Sequence, residues 1–212
     1  MTMINDAEKI TRFKQLIETT NGSKNLEAVG LALSIEDEEE RDLYLLQAAR
    51  LFLNSRDWQR AHGVTELMTN SYEKAETLRQ IAEFLASIGH IERSLLIFDD
   101  AEAASVAEHF SHWQQAELLH QIANSLAQVN AKVRADDVRS RAIGIAQTGQ
   151  QSASEQDSID SSSVLADIVE NLAAEERIEE ALQIAQSIKS VGKRERALLQ
   201  ISEYSSNVKR VA

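Results

Sequence analysis

The chain of 212 residues contains no cysteine, which excludes disulfides and thiolate metal sites. Proline is absent too, where about 5% would be usual, and there are only seven glycines, so little interrupts a helix. No apolar run approaches the ~20 residues that span a bilayer. The segment Met1 to Lys9 carries Asp6 and Glu8 and lacks the basic-then-apolar order of a signal peptide, so a cytoplasmic protein is expected. Basic residues are in deficit, 22 against 34 acidic, for a formal charge of −12. That balance argues against nucleic acid, whose phosphates require a basic stripe. The charge is uneven: Glu36 to Glu40 with Asp42 form an acidic block against a single Arg41, while Lys189, Lys193, Arg194, Arg196, Lys209 and Arg210 make the C-terminus locally basic.

What is present is apolar periodicity. Ala75, Leu78, Ile81, Ala82 and Leu85 recur at steps of three and four, and Leu165, Ile168, Val169 and Leu172 repeat the pattern. Such steps place side chains on one face of a helix, which a strand cannot do. A longer period overlies the short one. A shift of 33 residues carries Ala48 to Ile81, Ala49 to Ala82, Asp57 to His90 and Ala61 to Ser94. Ile81 to Ile122 is then 41 residues, and Ile122 to Ile168 is 46. Helical hairpins recurring at about 33 residues mark an α-solenoid.

Leu78, Ile81, Ala82 and Leu85, followed by Ser94, Phe98 and Ala101, resemble the tetratricopeptide (TPR) repeat signature, and Leu45, Ala48, Ala49, Phe52, Ala61 and Met68 give a second copy. The closing proline of that family is missing, and Leu and Phe stand for its usual Trp and Tyr. The resemblance implies an all-α, right-handed solenoid of about five TPR-like hairpins with a C-terminal capping helix, as a single domain over 1–212.

The spacing predicts helices over about 5–20, 24–34, 37–54, 57–70, 72–87, 91–108, 111–128 and 131–148, a further pair within 162–188, and a last helix over about 193–205. Gly89 reads as a left-handed stop, and Ser111 with Gln114 as a capping box. A competing register sets Trp113 and Ala116 against Trp58 and Ala61, which leaves the boundaries from Asp99 to Trp113 open. The polar stretch from Gly149 to Ser163 reads as a flexible insertion. The acidic block opens the third helix, where carboxylates favour the dipole by roughly 0.3 to 1 kcal/mol each.

No motif specifies catalysis, and neither a cofactor nor a metal site is expected. The nearest approach to a metal cluster is His109, His112 and His120 with Glu108 and Glu117 beside them, short of the converging ligands zinc requires. In TPR-like arrays the first helix of each hairpin lines a concave wall. Carried over, that geometry makes Ile10, Phe13, Ile17, Leu43, Leu46, Arg50, Leu53, Glu76, Arg79, Glu83, Glu117, His120, Asn124 and Glu170 the candidate partner-binding residues. The competing reading of Phe13, Leu43 and Leu46 is that they pack against each other or the first helix. A carboxylate clamp would need Lys and Asn where this chain has Phe13, Ile17, Leu46 and Arg50. The expectation is a non-catalytic adaptor binding a partner's peptide or amphipathic helix, with a basic patch as one option. The alternative is a homo-oligomer using the apolar N-terminal helices as its interface.

Overall fold

A computed structural model describes residues 5–18, 25–106, 110–152 and 154–211. The described residues form eleven helices and no strand: α1 (Asp6–Glu18), α2 (Asn25–Leu33), α3 (Glu38–Asn54), α4 (Trp58–Thr65), α5 (Ser71–Ser87), α6 (Ile91–Ser105), α7 (His112–Gln128), α8 (Lys132–Gly149), α9 (Glu155–Ala174), α10 (Ile178–Ser187) and α11 (Val191–Val211). They fall into two compact units, Met1–Ala107 and Glu108–Ala212. Within the first, α1 packs on α2, α2 on α3, α3 on α4 and α5, and α5 on α6. In the second, α7 packs on α8 and α9, α8 on α9, and α9 on α10 and α11.

Four hairpins turn in the same way. Arg56, Gly89, Asn130 and Glu176 all have positive φ, between 59° and 86°. Each turn closes with two backbone bonds. The turn residue donates to the carbonyl three back, as Gly89 does to Ala86 at 3.0 Å, and the next residue donates to the carbonyl five back. The latter bonds run from Asp57 to Phe52, His90 to Leu85, Ala131 to Leu126 and Arg177 to Leu172, at 2.8 to 2.9 Å. This is the Schellman motif, which satisfies carbonyls that a helix end would otherwise leave bare. The turn residues are 33, 41 and 46 positions apart, the same intervals that separate Ala48, Ile81, Ile122 and Ile168.

Packing follows the same register. Four residues before each turn stand Phe52, Leu85, Leu126 and Leu172, and eleven before stand Leu45, Leu78, Leu119 and Leu165, all buried. Five residues after each turn stand Ala61, Ser94, Ala135 and Ala181, at most 1% exposed, where the second helix crosses the first and a longer side chain has no room. Full burial of a Leu or Ile contributes roughly 1.5 to 3 kcal/mol, so this repeated set carries much of each hairpin's stability. Ala116 aligns with Ala75 of α5, so α7 is a first helix and the register that pairs Trp113 with Trp58 does not hold.

Three expectations need correction. The segment Gly149 to Ser163, expected as a flexible insertion, is helical from Glu155 onward, and Ser161 and Ser162 are buried. Small hydroxyl side chains can sit at a close helix crossing when they bond back to their own helix, as Ser162 does to the Ser158 carbonyl at 2.9 Å. Helix α6 ends at Ser105, earlier than expected, and residues 107–109 lie outside the described ones. Helix α4 spans only eight residues because Asp42 holds the segment that follows it. That carboxylate, fully buried, accepts from the Thr69 amide at 2.8 Å, the Thr69 hydroxyl at 3.0 Å and the Asn70 amide. Asp42 therefore belongs to the core and not to the exposed acidic block. Asp37, beside it in sequence, is the N-cap of α3 and accepts from the Glu40 amide at 2.8 Å.

Glycines separate two physical roles. A Cβ on Gly149 would stand 2.1 Å from Ser161 Oγ and 2.7 Å from His112 Cβ, whereas a Cβ on Gly144 meets nothing within 4 Å. Gly149→Ala is expected to cost roughly 1 to 3 kcal/mol by overpacking, and Gly144→Ala to add about 0.5 to 1 kcal/mol by helix propensity. Urea titrations of the two variants check this, and equal effects would mean α7, α8 and α9 do not meet as described. At the turns, Glu176→Gly should stabilise by up to about 1 kcal/mol, and Gly89→Ala should destabilise by about as much. A neutral Gly89→Ala would remove the left-handed turn from the description.

Candidate functional site

Helices α3 and α5 of the first unit present adjacent rows of side chains beside their packing faces. On α3, Leu43 is 44% exposed and Arg50 is exposed, its Nε donating to Gln80 Oε1 of α5 at 3.0 Å. On α5, Arg79 bridges two carboxylates: Nε donates to Glu76 at 2.9 Å, Nη2 to Glu76 at 2.7 Å, and Nη1 to Glu83. Pairs at i, i+3 and i, i+4 are what helix geometry brings together. Glu73, one turn before Glu76, is half-buried. Burial, the Glu76 carboxylate and, more weakly, Asp42 push its carboxyl above the usual range, while Arg50 pulls it back. The face between α3 and α5 thus combines an exposed leucine with crowded carboxylates.

Several expected wall residues are not available to a partner. Phe13 is fully buried, its ring 4.9 Å from that of Tyr44 in an edge-on contact, and Leu46 is 5% exposed. Both are core: Phe13 of α1 packs on Tyr44 of α3, and Leu46 is covered within the packing of α3 on its neighbouring helices. Ile10, Ile17 and Leu53 are half-buried. In the second unit, Glu117 is half-buried beside Gln121, whose amide donates to it at 3.3 Å, and Glu170 accepts from Gln200 of α11 at 3.1 Å. His120 is buried at 5% exposure and cannot line a wall.

His120 instead joins a polar seam that links the two hairpins of the second unit. Its Nε2 faces the side-chain amide nitrogens of Asn171 at 2.8 Å and Asn124 at 3.2 Å. Two amide donors against one ring nitrogen assign Nε2 as acceptor and place the imidazole hydrogen on Nδ1. Burial, reinforced by the charge of Arg139, lowers the His120 pKa to about 4. Arg139, 1% exposed, clasps Glu175 with both Nη groups at 3.0 and 2.8 Å. Arg177 reaches Asp136 and also Glu180, with Nε to Glu180 at 2.9 Å. This network pins the α9–α10 turn to α8. Sequence reading missed it, although one signal was there: a shift of 41 residues from Phe98 lands on Arg139, so a guanidinium fills a position that is aromatic core in α6.

The histidines considered for a metal stand in different settings. His112, at the start of α7, has Nδ1 3.4 Å from Asp157 of α9, His120 is sealed among amides, and His109 lies outside the described residues. Among the described residues no three of His, Cys, Asp and Glu are placed to hold a metal ion. The capping role of Gln114 holds, since its Oε1 accepts from the Ser111 amide at 3.1 Å. No described helix is long and apolar enough to cross a membrane. No family model, no curated protein and no solved structure matches the chain.

The His120 pKa has a consequence for acid stability. Folded His120 stays neutral down to about pH 4, while the unfolded chain binds its proton near pH 6.5. Stability is therefore complete above the unfolded value and falls as the pH drops toward the folded one, by about 3 kcal/mol in all. Denaturant unfolding at about pH 7 and about pH 4 should show this loss in the wild type and a smaller one in His120→Gln. Identical pH profiles for the two would place the acid sensitivity elsewhere.

Proposed function

We propose that the chain is a TPR-like helical-repeat scaffold that binds another protein through the face between α3 and α5. The observation that carries the reading is the pairing on that face of exposed Leu43 with half-buried Glu73, whose carboxyl is crowded by Glu76. A partner helix with one apolar anchor and a Lys or Arg nearby would cover the leucine and relieve the carboxylates. Charge agrees: the first unit holds 19 acidic and 11 basic residues, a net −8 of the chain's −12. Such a partner is steered by the same field, with an on-rate that falls as salt rises.

A second reading is self-association through the N-terminal helices. Leu26 and Leu33 on α2 are seven residues apart, hence on one helical face, and are 60% and 45% exposed. Sedimentation at several protein concentrations separates the two, since an adaptor stays monomeric and a self-associating chain gains mass.

The test of the first reading is affinity capture from native extract, followed by reconstitution of the identified protein with pure components. The wild type should retain a partner that a Leu43→Glu, Glu73→Lys double variant loses, with unchanged circular dichroism and weaker binding of the wild type at high salt. Equal capture by both proteins would move the binding surface away from α3 and α5.

A further inference from the structure

Beside the polar seam of the second unit, between α8 and the α9–α10 turn, lies a cleft of about 620 Å³. It is lined by small Ala127 and Ala135 together with Lys132, Asp136, Arg139, Glu175 and Arg177. Three cations against two carboxylates give the cleft a net positive charge within a chain of −12. Arg139 is the buried member. Both of its Nη groups are held by Glu175 and Nη1 also meets Asp136 at 3.5 Å, while its Nε, with under 1 Å² of accessible surface, has no hydrogen-bond partner. His120 Nδ1 behind it is also buried without a partner. A buried guanidinium with an unused donor is costly unless something else sustains it there. The rest of the register shows that the fold does not demand one, because Phe98, Thr65 and Ala185 occupy the same position in the other hairpins.

We propose that this cleft is an oxyanion site for a small molecule bearing a carboxylate or phosphate group. Lys132 is exposed and has no ion-pair partner among the described residues, and Arg177 is about one-third exposed, so both can meet an incoming anion. Glu175 sits on the turn with its side chain 37% exposed and grips Arg139 by a two-pronged pair of hydrogen bonds. That is the geometry by which a guanidinium holds an external carboxylate or phosphate. The ligand's oxyanion exchanges with Glu175 on Arg139, while Lys132 and Arg177 supply charge at the mouth. Asp136, held by Arg177 and 3.5 Å from Arg139 Nη1, offsets part of that positive charge.

The test follows the Arg139 Nε–H cross-peak by nitrogen-15 NMR at fixed ionic strength, with inorganic phosphate in one titration and citrate in the other. Saturable movement in the phosphate arm alone identifies phosphoryl ligands, in the citrate arm alone carboxylates, and in both the shared oxyanion chemistry. Lys132→Ala, which alters only an exposed side chain, should weaken the apparent affinity about fivefold. Glu175→Gln, which weakens the internal competitor, should tighten it about tenfold, a gain that a purely bracing ion pair would not produce. No saturable movement with either anion, or an affinity unchanged in both variants, overturns the proposal.

Discussion

Among the described residues, four hairpin turns each depend on one residue held in the left-handed region, which lets a first helix end and a second begin within three residues. L-residues adopt that conformation at a cost of roughly 1 to 2 kcal/mol, and only one of the four positions is glycine. Asn130 tolerates it through its short polar side chain, but Arg56 and Glu176 have no such compensation. The cost is offset by what the turn makes possible. It sets a small residue, Ala61, Ser94, Ala135 or Ala181, at the helix crossing, and it aligns Leu45, Leu78, Leu119 and Leu165 toward the same core.

Against that regular frame, the polar substitutions stand out. Asp42 occupies the position of Ala75, Ala116 and Ser162, and uses it to hold the segment leading into α5. In the second unit the comparable task, holding the segment before α11, falls to Gln150, whose Oε1 accepts from the Lys189 amide at 2.6 Å and the Ser162 hydroxyl at 2.9 Å. Arg139 occupies the position that Phe98 fills in α6, and with His120 it makes the contact between the two hairpins of the second unit polar. Buried polar groups often lend less stability than the hydrophobes of similar size that could replace them.

Much of the frame was legible in the sequence because it rests on local spacing. The intervals from Ile81 to Ile122 and Ile168 gave the register, and Gly89 gave one turn outright. The remaining turns were hidden, since nothing about Arg56 or Glu176 advertises a positive φ. Burial across elements was also out of reach. Phe13 and Leu46 carry the right spacing for a binding wall, and only packing between elements, such as that of Phe13 on Tyr44, makes them core. The stretch from Ser158 to Ser163 looks like linker by composition, yet Ser162 and Ser163 bond back to carbonyls of their own helix, Ser158 reaches the Gln150 carbonyl, and small Ser161 packs against Gly149. Of the candidate site, the rows through Leu43, Glu76, Arg79 and Glu83 were legible as helix faces. The Arg139–Glu175 pair was not, because its partners are 36 residues apart and the register marks Arg139 as a core position without naming its partner.

The recurrence of one turn at 33, 41 and 46 residue intervals is the claim on which the rest stands. It is tested most directly by scalar couplings across hydrogen bonds in a doubly labelled sample. Couplings from the amides of Asp57, His90, Ala131 and Arg177 to the carbonyls of Phe52, Leu85, Leu126 and Leu172 are the expected result. Absence of these couplings, together with rapid exchange of the same four amides with solvent, would contradict a common hairpin and the register built on it.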